Sequence, residues 1–332
     1  RRVINKWYIQ DTRKTIGRTN FIKIGENKKY FKEGIADPIN IIETLKIYYK
    51  LNKLKGPIQL DVNPLSICCD KCVFCFNEED RREDLEKLNY EKALESIKWL
   101  IENTNLMHIK CSGFGEPTLY PDIWNLFEYT RKQGLYNTLN TNGFKLENHI
   151  DNILKTMDSI RFSIDAYNSE SFKKVHNKDD FDKRLYNIEK LVKRREKEQE
   201  DLIIGLHYVL LPQNYKGLDQ IIIWAKEVGV DYIDITLGKF KPTYLNNWKE
   251  QELEDAIKIM YNAKKYIDDK FNVILPHKET LDEKDLEEFR KKRYNGNKCW
   301  QIYLRQYITP KGEYGACNAF DSQPISKRVF GN

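Results

Sequence analysis

From Ile58 onward the chain alternates short stretches of period-two hydrophobicity with longer stretches of helical period, and this alternation restricts its fold more than any other feature. Six strands are predicted: Ile58 to Asn63, Met107 to Ser112, Tyr136 to Asn142, Ser159 to Asp165, Ile203 to Leu210 and Tyr232 to Leu237. Helical patterns fall between them at Tyr90 to Asn103, Asp122 to Gln133, Phe181 to Glu198 and Leu218 to Val228. Strand and helix in alternation imply parallel pairing through right-handed crossovers, and six such units curl into a partial barrel. The expected class is α/β, a partial (β/α)6 TIM-like barrel over residues 58–245. A helical extension is expected over 1–57, with Pro38 to Lys50 as its clearest helix. A helical linker follows over 246–297, containing a long helix from Gln251 to Lys270, and a small β-rich cysteine module closes the chain over 298–332.

The two faces of these strands differ in kind, because side chains alternate between the barrel lumen and the helix layer. Leu60, Val62, Ile109, Cys111, Ile160, Phe162, Ile233 and Ile235 fall on the face that packs against helices. The opposite face carries Asp61, Asn63, His108, Lys110, Thr138, Asn142, Arg161, Ser163, Asp165, His207, Asp234 and Thr236. A lumen packed shut would be filled with Val, Ile and Leu. A lumen that is polar on every strand predicts a hollow that holds a polar ligand. Strand parity alone therefore makes Asp234, Lys110 and His207 candidates for substrate contact or proton transfer. His108 and His207 read equally well as satisfied core histidines, while His149, His176 and His277 fall on predicted surface segments.

No run approaches the roughly 20 apolar residues needed to cross a bilayer, and the first residues lack the apolar core of a secretory signal. A cytoplasmic location is expected, where seven cysteines point to metal or redox chemistry and not to a disulfide framework. The net charge of +6 is spread along the chain, and the basic run Lys190 to Lys197 reads as the solvated face of a helix, so neither points to nucleic acid. Cys68, Cys72 and Cys75 have the spacing C-x-x-x-C-x-x-C just after the first core strand. Three thiolates on one loop can hold three corners of an iron-sulfur cube and leave the fourth iron open. Zinc would ask for a second pair of such cysteines or for histidines at matching spacing. Cys69 breaks the pattern and reads as a bystander.

The cysteine trio, with Phe74 just before its last member, resembles the radical S-adenosylmethionine (radical SAM) superfamily. Ser112-Gly113-Phe114-Gly115-Glu116-Pro117 after the second strand resembles that family's Gly-Gly-Glu-Pro motif, with Phe114 in place of the first Gly; alone, such a turn would be a plain loop. The resemblance implies that Cys68, Cys72 and Cys75 bind a [4Fe-4S] cluster. It implies that Phe74, Gly113, Gly115, Glu116, Pro117, Asn142, Ser163 and Asp165 surround S-adenosylmethionine, with Ser163 and Asp165 meeting its ribose and carboxylate. Capping of the next helix is the competing role for Ser163 and Asp165, and a turn for Asn142. In the tail, Cys299, Gly312 and Cys317 resemble the opening half of a SPASM or twitch module, which implies a second, auxiliary iron-sulfur cluster. Two cysteines do not complete one, and two buried structural cysteines is the other reading.

By this resemblance the reduced cluster cleaves S-adenosylmethionine to methionine and a 5′-deoxyadenosyl radical, which takes hydrogen from a substrate in the lumen. Flavodoxin or ferredoxin would supply the electron. The first 57 residues carry no winged-helix pattern of the kind that binds leader peptides, which with the polar lumen favours a sugar-like small molecule and an oxidoreductase or epimerase outcome. Modification of a ribosomal peptide is the alternative. A metal-stabilised binding protein is the non-enzymatic one.

Overall fold

The computed structural model of the chain describes residues 21–24, 27–30, 55–75, 86–198, 200–238, 248–275, 305–315 and 329–331. Strands β1 (Phe21–Ile24) and β2 (Asn27–Tyr30) form an antiparallel pair with Ile24 opposite Asn27. They stand where a helical extension was expected, and the run Phe-Ile-Lys-Ile has the β-branched and aromatic content that favours a strand. The helix expected over 38–50 lies outside the described residues.

The six core strands are present, each trimmed by at most two residues at an end: β3 (Gln59–Val62), β4 (His108–Cys111), β5 (Tyr136–Thr141), β6 (Ser159–Ser163), β7 (Ile203–Leu210) and β8 (Tyr232–Leu237). They pair in parallel in chain order, with Asp61 opposite Lys110, Lys110 opposite Thr138, Arg161 opposite Gly205 and His207 opposite Asp234. The sheet continues beyond them at both edges. β9 (Asn272–Ile274) adds in parallel to β8, and β10 (Arg305–Ile308) adds in parallel to β3. β11 (Tyr314–Gly315) and β12 (Val329–Gly331) follow antiparallel. Among the described residues the two edges do not meet, so the barrel is partial and open.

Helices α1 (Tyr90–Asn103), α2 (Ile123–Lys132), α3 (Ile150–Thr156), α4 (Ser169–His176), α5 (Phe181–Glu198), α6 (Leu218–Val228) and α7 (Glu250–Asn262) are joined to these strands. The helix expected from Gln251 to Lys270 ends at Asn262, passes through a single 3-10 turn and gives way to β9. The expected apolar face is fully buried at Leu60, Val62, Ile109, Cys111, Ile160, Phe162, Ile233 and Ile235. Each such aliphatic or aromatic contributes about 1.5–3 kcal/mol relative to exposure, which fixes the strand register. Among the described residues no helix is long and apolar enough to cross a membrane.

Candidate active site

The cysteine loop leaves the carboxyl end of β3 and is tied to the end of α4. The last carbonyls of a helix have no partner within it. Here the Lys71 and Val73 N–H groups donate to the His176 and Val175 carbonyls, at 3.1 and 2.9 Å. Val73 and Phe74 pack on Val175, Val209 and Leu211. The Cys75 N–H donates to the Cys72 carbonyl at 3.2 Å, turning the loop back on itself. Cys68, Cys69, Cys72 and Cys75 are all half-buried. A hydrogen bond from the Cys69 thiol pulls the Cys68 thiol down and, with burial, pushes Cys69 itself up. Cys68 is thereby the better thiolate of the two, and Cys69 stays protonated. Asn142 Nδ2 donates to Cys69 Sγ at 3.1 Å and lies 3.8 Å from Cys68 Sγ.

Beneath the loop lies a network of buried charge that the sequence did not announce. Arg184 on α5 donates from Nη1 and Nη2 to the two oxygens of Asp70, both at 2.7 Å, with both side chains 1% exposed. Arg184 also donates to the Asn142 carbonyl at 2.9 Å. Burial pushes the Asp70 carboxyl up, but the hydrogen-bonded Arg184 guanidinium and the His176 imidazole beside it hold it well below the usual carboxylate range. His176, expected on the surface, is fully buried, with Nδ1 3.2 Å from Cys72 Sγ and Nε2 3.0 Å from the Ile164 carbonyl. Burial alone would lower the His176 pKa; Cys72, Asp165 and Asp70 around it raise it well above the ordinary value. Donor atoms of Asp70, Cys72 and His176 lie within 4.8 Å of one another. The bidentate guanidinium already occupies the Asp70 carboxylate, so this group is an ion-pair network and not a site for a single metal ion.

The Gly-Phe-Gly-Glu-Pro bend packs against the same loop. Gly113 has φ +109°, and a Cβ there would lie 1.6 Å from Asn63 Oδ1; at Gly115 a Cβ would lie 2.1 Å from the Ile67 carbonyl oxygen. Only glycine allows both the conformation and the approach. Buried Glu116 accepts through Oε1 from the Thr118 N–H, Thr118 Oγ1 and Thr141 Oγ1, at 3.0, 2.7 and 2.6 Å, and through Oε2 from the Asn142 N–H at 2.8 Å. It clamps the bend to the end of β5 and so sets Asn142 against the cysteines. Pro117 is buried and opens a 3-10 turn that Glu116 caps. Asn63 Oδ1 is buried beside Gly113 with no hydrogen-bond partner among the described residues.

Ser163 is half-buried at the end of β6, but Asp165 does not share its face. Asp165 lies past the strand with φ +45°, fully buried, and its Oδ1 accepts from the Val209 N–H at 2.6 Å. Its Oδ2 stands 3.2 Å from His176 Nε2. The parity that set the two side chains together holds only while the backbone is extended, and a left-handed residue turned Asp165 inward.

In the lumen, Arg161 donates to Asp234 at 2.6 Å, Arg305 Nε donates to Asp61 at 2.6 Å, His108 pairs with Thr138 at 2.8 Å and His207 with Thr236 at 3.2 Å. Lys110 is buried. Burial and then Arg161 bring its amine down to about 7. Burial brings His108 to about 3 and lowers His207. Arg305 is the lumen residue that parity could not supply, because it arrives on a strand from the tail. Cys299 and Cys317 lie outside the described residues.

An open parallel barrel with a three-cysteine loop at the carboxyl end of its first core strand and a polar lumen defines an enzyme frame for iron-sulfur chemistry. Residues 62–225, just under half of the chain, match the family described as the Radical SAM superfamily. That core belongs to the radical SAM superfamily, whose cofactors are a [4Fe-4S] cluster and S-adenosylmethionine. Among curated relatives, a probable GTP 3′,8-cyclase of Sulfurisphaera tokodaii is 27% identical over 206 residues, covering 60% of this chain. A tungsten-containing aldehyde ferredoxin oxidoreductase cofactor-modifying protein of Pyrococcus furiosus is 29% identical over 178 residues, covering 50%. The chain spans 63% of the first relative's length and 47% of the second's. Among solved structures, Streptococcus suis SuiB bound to S-adenosylmethionine superposes with a TM-score of 0.63 at 20% identity, covering 85% of this chain and 65% of that one. AnSMEcpe with bound AdoMet and a peptide gives 0.57 at 17%, covering 83% and 77%. These two show a shared fold.

Proposed function

We propose that this radical SAM enzyme removes hydrogen from a small polar substrate held in the barrel lumen, with dehydrogenation or epimerisation as the outcome. The observation that carries this reading is the polar face of the sheet: strands β3, β4, β6, β7 and β8 carry Asp61, Lys110, Arg161, His207 and Asp234, with Asp61, Lys110 and Asp234 buried and Arg161 donating to Asp234. The donor set fits the cofactors. Three half-buried cysteines on one loop suit three irons of a cube, and the unpartnered Asn63 oxygen at the Gly113 bend suits an ammonium group. When bound, the two cofactors supply one-electron reduction and hydrogen-atom abstraction.

In this reading Cys68, Cys72 and Cys75 hold the cluster. The Gly113 to Pro117 bend, Asn142 and Ser163 orient the methionine and ribose ends, Phe74 walls the loop from water, and Asp165 braces β7 from behind. Cys299 and Cys317 are candidates for an auxiliary cluster. Lys110, with an amine that titrates near neutrality, gives or takes a proton at Nζ. Asp234 and His207 hold polar groups of the substrate in line with it. A sequence relative named as a GTP cyclase supports a polar small molecule. Two fold neighbours, SuiB bound to its precursor peptide SuiA and anSMEcpe with a bound peptide, favour a peptide as the second reading.

Deuterium transfer separates the two. Deuterated sugar-like and nucleotide substrates are expected to pass label into 5′-deoxyadenosine. Label arriving only from deuterated peptides would replace the first reading by the second.

A further inference from the structure

We infer that His176 donates a hydrogen bond through its Nδ1–H to the sulfur of Cys72 and so sets how readily the cluster is reduced; this rests on the cluster reading above. Among the described residues, the four polar atoms that pair with the imidazole are acceptors. Nε2 stands 3.0 Å from the Ile164 carbonyl, which has no proton to give, and 3.2 Å from Asp165 Oδ2. Nδ1 stands 3.2 Å from Cys72 Sγ and 3.4 Å from Asp70 Oδ2. A metal-bound cysteine is a thiolate, and the Asp70 carboxylate faces the Arg184 guanidinium, so neither donates. Both ring nitrogens therefore carry hydrogen, and the one at Nδ1 points to sulfur.

The ring is also held still. Phe172 stacks on it at 4.4 Å, and Phe74 meets it edge-on at 6.2 Å. The main chain at Val175 and His176 grips the cysteine loop through Val73 and Lys71, so donor and acceptor move together. Hydrogen bonds to cluster sulfurs favour the reduced state, which carries more negative charge, over the oxidised one. Loss of this donor should make the cluster harder to reduce.

Two substitutions separate the sulfur contact from the loss of ring charge. His176→Asn keeps an amide N–H near the Nδ1 position, whereas His176→Gln keeps one near Nε2 and leaves Cys72 without a donor. In a dithionite redox titration of the reconstituted full chain, followed by electron paramagnetic resonance, reduction of His176→Gln should be at least tenfold less favourable than that of His176→Asn. For a one-electron couple this is about 59 mV. Equal midpoints in wild type and both variants would overturn the inference. Wild type grown on 15N-histidine gives a reading that needs no variant: nitrogen coupling is expected in the pulsed resonance of the reduced cluster, and its absence overturns the inference too. A wild-type chain that yields no reduced-cluster signal overturns the cluster reading, and the inference with it.

Discussion

Cys72→Ala should leave the purified and reconstituted chain without its iron and take reductive cleavage of S-adenosylmethionine to background. A cube held at three corners loses one of three protein ligands, and the effect should exceed the 10–100-fold loss that removal of an outer-shell partner causes. Cys69→Ala is the control, because Cys69 lies outside the spacing and its thiol is pushed up and stays protonated beside Cys68. Iron analysis and product chromatography on the two variants check this together. Equal iron in wild type and Cys72→Ala would remove Cys72 from the site.

Arg184→Leu should lower the stability of the chain by about 3–5 kcal/mol at neutral pH, the usual cost of leaving one member of a buried ion pair behind. Arg184 and Asp70 are each 1% exposed, so solvent cannot take over the role of the guanidinium. The same side chain steadies Asn142 through its carbonyl and so supports the cysteine loop on two sides. The pH dependence has a definite sign. Asp70 is held below the usual carboxylate range in the native chain, so its stabilisation is present above the unfolded value of about 3.9 and is lost as pH falls through the depressed native range. In the variant a protonated Asp70 no longer needs a partner, so the gap between the two proteins should narrow as pH drops below about 4. Urea unfolding at pH 7 and pH 4 measures both values.

The core from β3 to β8 was legible because its alternation has two independent signals, a helix-facing row of aliphatics and an inward row of polar groups. Four helices, at Tyr90, Asp122, Phe181 and Leu218, were found to within a residue for the same reason. Helix α4 was not, since Ser-Glu-Ser-Phe-Lys-Lys-Val-His offers two turns with only Phe172 and Val175 apolar. His176 at its end was consequently read as surface. Its capping box at Asn168 and Ser171 was the available signal. The Arg184–Asp70 pair joins residues 114 positions apart, and nothing local in either segment marks it. Asp165 failed through one backbone angle, and β9 through its brevity: three residues carry too little alternation to be told from loop.

The cysteine loop has a built setting: α4 fixes its main chain, Asn142 and His176 reach its sulfurs, and the Glu116 clamp presents Asn142. The sharpest test is anaerobic incubation of the iron-replete chain with S-adenosylmethionine and dithionite, followed by quantitation of the nucleosides. 5′-Deoxyadenosine and methionine are expected in equal amounts, dependent on both iron and reductant. Intact S-adenosylmethionine after incubation with a fully iron-loaded, reduced chain would contradict a radical SAM reaction at this site.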